Sequence, residues 1–251
     1  MTEKNPSGSS TRLRSVLSWV VTLLVPVVLV LTAVRLLMTP LYVDIEYNTP
    51  AFPEDRYGFT KQDRLYYSKN AIDYLLNDED ISFLGDLRFP EGQQVPAESC
   101  VFMDDCSRVY NDRELQHMED VKNVVKSALR VLYGGLIALV VLAIWAWLGN
   151  WVSDYRRGLA RGGWLTLILI GVTVVFALIA FGILFVAFHQ VFFDPGTWRF
   201  FFSDTLIRLF PERFWRDTFL WIGLLAGGAG LALGLTLRER NTPGVKKGET
   251  D

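Results

Sequence analysis

Residues 162–193 read GGWLTLILIGVTVVFALIAFGILFVAFHQVFF and contain no formal charge. A helix rising about 1.5 Å per residue needs about 20 residues to cross a hydrocarbon core of about 30 Å. This stretch therefore predicts a transmembrane helix with residues to spare. One histidine, His189, interrupts it near its end, where an apolar side chain would be cheaper to bury.

Three further stretches lack formal charge and are long enough to span: Ser15 to Val34, Val131 to Ser153, and Thr218 to Leu237. With 51% of its 251 residues hydrophobic, the chain is too apolar for an ordinary soluble domain. The first stretch follows Arg12 and Arg14 as a signal peptide would. It outruns a typical h-region, however, and the following "RLLMTPLYV" offers no small-x-small cleavage site, so it reads as an uncleaved anchor. The expected fold is a membrane all-α four-helix transmembrane bundle with a small α+β extracytoplasmic cap between spans one and two.

Basic residues near span ends set orientation. With both termini cytoplasmic, that side carries Lys4, Arg12, Arg14, Arg156, Arg157, Arg161, Arg238, Arg240, Lys246 and Lys247. The opposite side also has basic residues close to the membrane, among them Arg35, Lys122, Lys126, Arg130 and Arg199, so the bias is modest. The expected order is a cytoplasmic tail at 1–14, span one at 15–38 and a cap at 39–121 ending in the helix that carries His117. An amphipathic lead-in and span two follow at 122–153, then a cytoplasmic loop at 154–163 and span three at 164–193. An aromatic outer loop at 194–217, span four at 218–237 and a cytoplasmic tail at 238–251 complete the chain. Residues 1–11 and 241–251 are small and polar and are expected to be disordered.

The cap segment from Thr39 to Val121 has 18 acidic and 7 basic residues, which argues against a nucleic-acid partner there. "YVDIEY" at 42–47 alternates like a half-buried strand, and "KQDRLYYSKNAIDYLLN" places Leu65, Ile72, Leu75 and Leu76 on one helical face. "ISFLGDLRF" at 81–89 reads as a returning strand or a short turn. Cys100 and Cys106, both in the cap, are close enough in an exoplasmic segment to form a disulfide, the alternative being two free thiols.

From Arg113 onward the pattern is helical, and His117, Asp120, Val121 and Val124 share a face. "DPGTWRFFFSDTLIRLFPERFWRD" at 194–217 is aromatic and amphipathic, as suits a membrane interface. The two histidines of the chain, His117 and His189, fall towards the same membrane face. Histidine is the side chain whose ordinary pKa suits proton transfer near neutral pH, although each could equally be an interfacial polar residue. Counted from Trp151 and Trp164 as inner ends, straight helices put them about 51 and 38 Å along their axes. They meet only if the helix holding His117 tilts or breaks. Asp120, one turn beyond His117, either orients the imidazole or is a solvated helix charge.

The glycines of "GLLAGGAGLALG" lie inside span four and suit close helix packing rather than a phosphate loop. No nucleophile elbow, cysteine-based zinc pattern or dinucleotide fingerprint occurs, and the spacing of two histidines and one aspartate is not a metal-ligand signature. No cofactor or metal is expected.

"HMEDVKNV" at 117–124, then "FHQVFF" at 188–193 followed by "DTLIRLFPERFWRD" at 204–217, resembles the lipoprotein intramolecular transacylase (Lit) family of four-span bacterial membrane proteins. The resemblance runs from span one to span four, and the segment with Cys100 and Cys106 has no match to it. It implies acyl transfer within one molecule, from the sn-2 position of a lipoprotein's diacylglyceryl group to the α-amino group of its N-terminal cysteine, giving the lyso-form. It makes His117 and His189 the catalytic pair, and it implies as partners the diacylglyceryl-modified N-terminus and membrane lipid. Arg199, Arg208 and Trp198 are candidates for placing the headgroup or carbonyl. Two other readings are a four-span envelope protein whose cap binds a partner, and a bis-histidine haem or metal carrier.

Overall fold

The computed structural model describes residues 8–237 except 94 and 102. The expected C-terminal tail and its basic residues, together with Lys4, lie outside the described residues. Among the described residues ten helices follow one another: α1 (Gly8–Leu37), α2 (Pro40–Tyr47), α3 (Lys61–Leu76), α4 (Ser82–Gly85), α5 (Ala97–Cys100), α6 (Asp112–Leu148), α7 (Val152–Ile179), α8 (Phe181–Phe192), α9 (Thr205–Leu209) and α10 (Glu212–Thr236). Four of them, α1, α6, α7 and α10, are long and apolar enough to cross a membrane.

Helix α7 packs against both α1 and α10, which also touch each other, and α6 packs against α1 and α7. Apolar side chains gain little by leaving lipid, so helices in a bilayer join through close backbone approach and interhelical hydrogen bonds. Both occur here. A Cβ added at Gly158 or Gly162 of α7 would meet the Ser18 carbonyl oxygen or Val25 of α1 at 2.6 and 2.5 Å. On the other side of α7, a Cβ at Gly163 would press into the Gly230 carbonyl of α10, and Gly223, Gly227 and Gly234 continue that contact stripe. Ser18 Oγ donates to the Asp154 carbonyl at 2.6 Å and accepts from Arg161 at 2.7 Å.

The cap contains no strand among its described residues, which corrects the α+β expectation. "YVDIEY" folds as α2 because Thr39 caps it by accepting from the Tyr42 N–H and Pro40 fills the first turn. Its short alternation is equally served by a helical face, and Tyr42, Val43, Glu46 and Tyr47 are the buried residues. The returning strand shrinks to α4 and a single antiparallel bridge between Arg88 and Arg108. Helix α3 starts in a Thr60/Asp63 capping box, and its most buried stripe runs through Tyr67, Ala71, Tyr74 and Leu75. With Phe59, Leu84, Tyr110, Met118 and Leu209 these residues form the cap core.

Three boundaries differ from expectation in ways that matter for the site. Residues 8–14 belong to α1, and the anticipated loop at 154–163 is helical and opens α7. Helix α6 runs unbroken from the cap through the bilayer, starting in a capping box in which Asn111 and Glu114 satisfy each other's backbone N–H groups. The third apolar stretch is interrupted instead, at Ala180 (φ −141°, ψ 47°), where α7 gives way to α8.

Candidate active site: a stacked histidine pair under an aromatic cover

His117 lies on α6, a turn and a half from its capped start, and His189 lies in the last turn of α8. Measured from the turn joining α6 to α7, the two histidines are about 46 and 56 Å along their helices. On the α7–α8 side the helical path is broken at Ala180, where the chain can change direction. The rings stack with centroids 6.0 Å apart and planes 20° from parallel. Both residues are nearly enclosed, at 8% and 9% exposure.

Aromatic rings form the enclosure. Phe193 touches both imidazoles, at 4.8 Å from His117 and 5.5 Å from His189. Phe200 closes on His117 at 5.3 Å, while Phe185 and Trp198 pack on His189 at 4.1 and 4.9 Å. The Nδ1 of His189 is 2.7 Å from the Phe185 carbonyl oxygen. A carbonyl only accepts, so Nδ1 carries the proton and the neutral ring presents its lone pair at Nε2. His117 Nδ1 and Trp198 Nε1 are buried with no hydrogen-bond partner among the described residues. A buried polar group without a protein partner costs about 1–3 kcal/mol, and both of these groups stay available to a polar ligand.

A polar framework holds the cover in register. Glu114, besides capping α6, accepts from the Leu206 N–H at 2.7 Å. Asp204 accepts from the Phe201 N–H at 2.9 Å and pairs with Asn111 and Arg113 of α6. Burial raises the Asp204 carboxyl, and the Phe201 N–H and Arg113 partly offset it. Ser99 Oγ of α5 donates to the Ser203 carbonyl at 2.7 Å, next to the Cys100–Cys106 disulfide, whose Cα atoms are 5.3 Å apart. The 194–204 segment is thus tied to both α6 and the cap. Gly196, at φ +94°, turns it back over α8 in a conformation that suits glycine.

The other expected site residues separate. Trp198 is in the enclosure, and Arg199 is exposed with its guanidinium 5.6 Å from the Trp198 ring. Arg208 is not at the pair. It is buried in a bidentate contact with Asp55, both bonds at 3.0 Å, donates to the Tyr57 carbonyl and lies over the Phe59 ring. Its charge is committed to folding the cap. Burial alone would raise the Asp55 carboxyl, but Arg208 and the N–H groups of Phe59 and Tyr57 outweigh burial and hold it below the usual carboxylate range. Asp120 is half-buried one turn past His117, whose Nδ1 has no hydrogen-bond partner among the described residues, Asp120 included. Among the described residues, no cluster of three His, Cys, Asp or Glu side chains is placed to bind a metal.

Sequence reasoning missed Glu114, Asp204 and Asn111. The Asn-x-x-Glu spacing at 111–114 was a readable capping box, whereas the reach of Asp204 across to α6 left no local signal.

Four apolar helices under a helical cap, with two stacked histidines enclosed at their junction, define a multi-pass membrane protein with a candidate site at the cap. The family model of the lipoprotein intramolecular transacylase Lit matches residues 17–215, and the chain belongs to that family. It is therefore a membrane acyltransferase. An uncharacterized protein of Aquifex aeolicus (strain VF5) is 27% identical over 221 residues, covering 85% of this chain and 89% of its own. The solved in meso structure of the membrane integral lipoprotein intramolecular transacylase Lit from Bacillus cereus superposes with a TM-score of 0.58 at 20% identity. The match covers 90% of this chain and 94% of that one, a likeness of fold.

Proposed function

We propose that this chain moves the sn-2 acyl group of a lipoprotein's diacylglyceryl moiety to the α-amino group of the same molecule's N-terminal cysteine, with His117 and His189 as acid–base catalysts. The carrying observation is the stacked, enclosed pair: the chain's two histidines, far apart in sequence, face one another at 6.0 Å. The site lies on the extracytoplasmic side, both termini being cytoplasmic. Arg12, Arg14, Arg156, Arg157 and Arg161 at the face opposite the cap support that orientation.

The chemistry needs two proton movements and no enzyme nucleophile. His189, its Nδ1–H held by the Phe185 carbonyl, takes a proton from the attacking amine at Nε2. An α-amine with a pKa near 8 is readily made nucleophilic by such a base. The ester C–O bond to glycerol then breaks, and His117 delivers a proton to the departing oxygen. One proton leaves nitrogen and one reaches oxygen, so the cycle closes when the proton gained by His189 at Nε2 is released and His117 is protonated again, by exchange with solvent as the product leaves. Because donor and acceptor share one molecule, the enclosure acts largely by holding them together, the source of the large advantage of intramolecular steps. Val191, Phe192, Phe201 and Phe202 are exposed around the enclosure and suit a substrate that keeps its acyl chains in lipid. Arg199, exposed beside Trp198, can donate to a substrate carbonyl at the rim.

The product is an isomer of the substrate, so intact mass does not reveal the reaction. Fragmentation mass spectrometry of a reporter lipoprotein's N-terminal peptide, made in a host without other N-acylation, does. Wild type is expected to yield N-acyl, S-monoacylglyceryl cysteine, and His117→Ala and His189→Ala the free-amine diacylglyceryl form. Either variant working like wild type at equal expression would remove the histidine mechanism.

A further inference from the structure

We infer that the indole N–H of Trp198 is the hydrogen-bond donor that stabilises the oxyanion of the tetrahedral intermediate, an assignment that rests on the acyl-transfer reading above. When the amine attacks, the C–N bond forms and the carbonyl π pair moves onto oxygen. That charge persists until the C–O bond to glycerol breaks and the carbonyl reforms. Two proton carriers do not by themselves stabilise it. In acyl transfer, a preorganised neutral donor at that oxygen is worth about 10²–10³-fold in kcat.

Three observations select Trp198. Its ring lies 4.9 Å from the His189 imidazole, within the enclosure where the reacting carbonyl must sit if His189 is to reach the amine. Its Nε1 is buried without a partner, a donor held out of water and kept unspent by the fold. Indole nitrogen donates only and does not titrate in the range where histidine does, so the service it can perform there is hydrogen bonding to an acceptor. Its position is set independently of substrate. Asp204 fixes the far end of its segment through the Phe201 N–H and Asn111, and the Arg199 guanidinium lies against the outer side of the cover. Such prior fixing is what oxyanion stabilisation requires, because a donor that must reorganise during the reaction gives back most of its effect.

The test uses purified full-length protein in lipid bicelles and a synthetic S-(diacyloxypropyl)-cysteine peptide, with isomerisation followed by fragmentation mass spectrometry. Trp198→Phe keeps an aromatic ring and removes the N–H. Replacement of Trp198 by benzothienylalanine keeps the bicyclic shape and changes N–H to sulfur, so it decides the matter where Trp198→Phe disturbs folding. Both are expected to lower kcat about 10²–10³-fold with KM changed by less than about threefold, and to lose affinity for a phosphonate analogue of the intermediate but not for the unreacted peptide. A benzothienylalanine protein turning over like wild type, while His117→Ala and His189→Ala are inactive, would overturn the Trp198 assignment and leave the histidine reading standing. If the two histidine variants remain active, both fall together.

Discussion

Where α7 meets α10, Gly163 and Gly230 bring two backbones into contact with no side chain between them. Where the cap meets the segment covering the histidines, contact runs through Arg208 to Asp55, Glu114 to Leu206, and Asp204 to Asn111. The first surface is assembled by shape and the second by directed, partly charged hydrogen bonds. The difference follows from the solvent each region folds in. In lipid, apolar burial discriminates little between arrangements, so small residues choose the partner. At the aqueous edge, a buried charge tolerates one partner geometry and penalises the rest. The enclosure lies on the seam between the two, with His189 supplied by the bundle and His117 by the helix that joins bundle to cap.

Substitutions that remove each kind of contact test this division. Arg208→Ala leaves Asp55 buried and unpaired, with an expected loss of about 3–5 kcal/mol in denaturant unfolding of the purified protein at pH 7. Since Asp55 is held below its ordinary range, its contribution is present above the unfolded pKa of about 3.9 and is lost as pH falls through the lower folded value. The gap between variant and wild type should accordingly narrow below about pH 4. Gly163→Val forces a side chain into the Gly230 carbonyl, and backbone yields less readily than a rotamer. A loss of about 1–3 kcal/mol is expected, equal at pH 4 and pH 7. A pH-dependent loss at Gly163, or a pH-independent one at Arg208, would break the distinction.

A smaller effect sharpens it. Glu46 of α2 is fully buried with neither carboxyl oxygen hydrogen-bonded in ordinary geometry. Burial first, and the neighbouring Asp217 carboxyl second, push it up to about 7. An acid raised in the folded state favours folding in its protonated form, and that advantage is fully present below the unfolded pKa of about 4.3 and is lost as pH rises from there through about 7. Glu46→Gln is expected to match wild type in Tm at about pH 4 and to exceed it at pH 8. A lower Tm at pH 8 would show that the ionised carboxyl has a stabilising partner.

The spans were legible because twenty uncharged apolar residues have few other uses, and Lit-like motifs marked both histidines. Other features were not legible, for identifiable reasons. Six alternating residues at 42–47 fit a strand or a capped helix equally, and Thr39-Pro40 was the deciding signal. The meeting of His117 and His189 looked barred by height because 154–163 read as a loop; as helix, it lifts His189 by several turns, and at the break at Ala180 the chain can change direction. Arg208 looked like a ligand for substrate because nothing near it in sequence shows that Asp55 already occupies its guanidinium. Long-range polar pairing of that kind leaves no periodicity to read.

Whether His117 and His189 form one site is decided by the double variant. Isomerisation rates of His117→Ala, His189→Ala and the combined protein are compared under single-turnover conditions on the same lipopeptide. Two groups acting as a unit in one proton path are strongly non-additive. Each single variant and the double variant are therefore expected to fall to the same residual rate. Losses that multiply in the double variant would mean that the two imidazoles act separately, and the stacked pair would not be the catalytic centre.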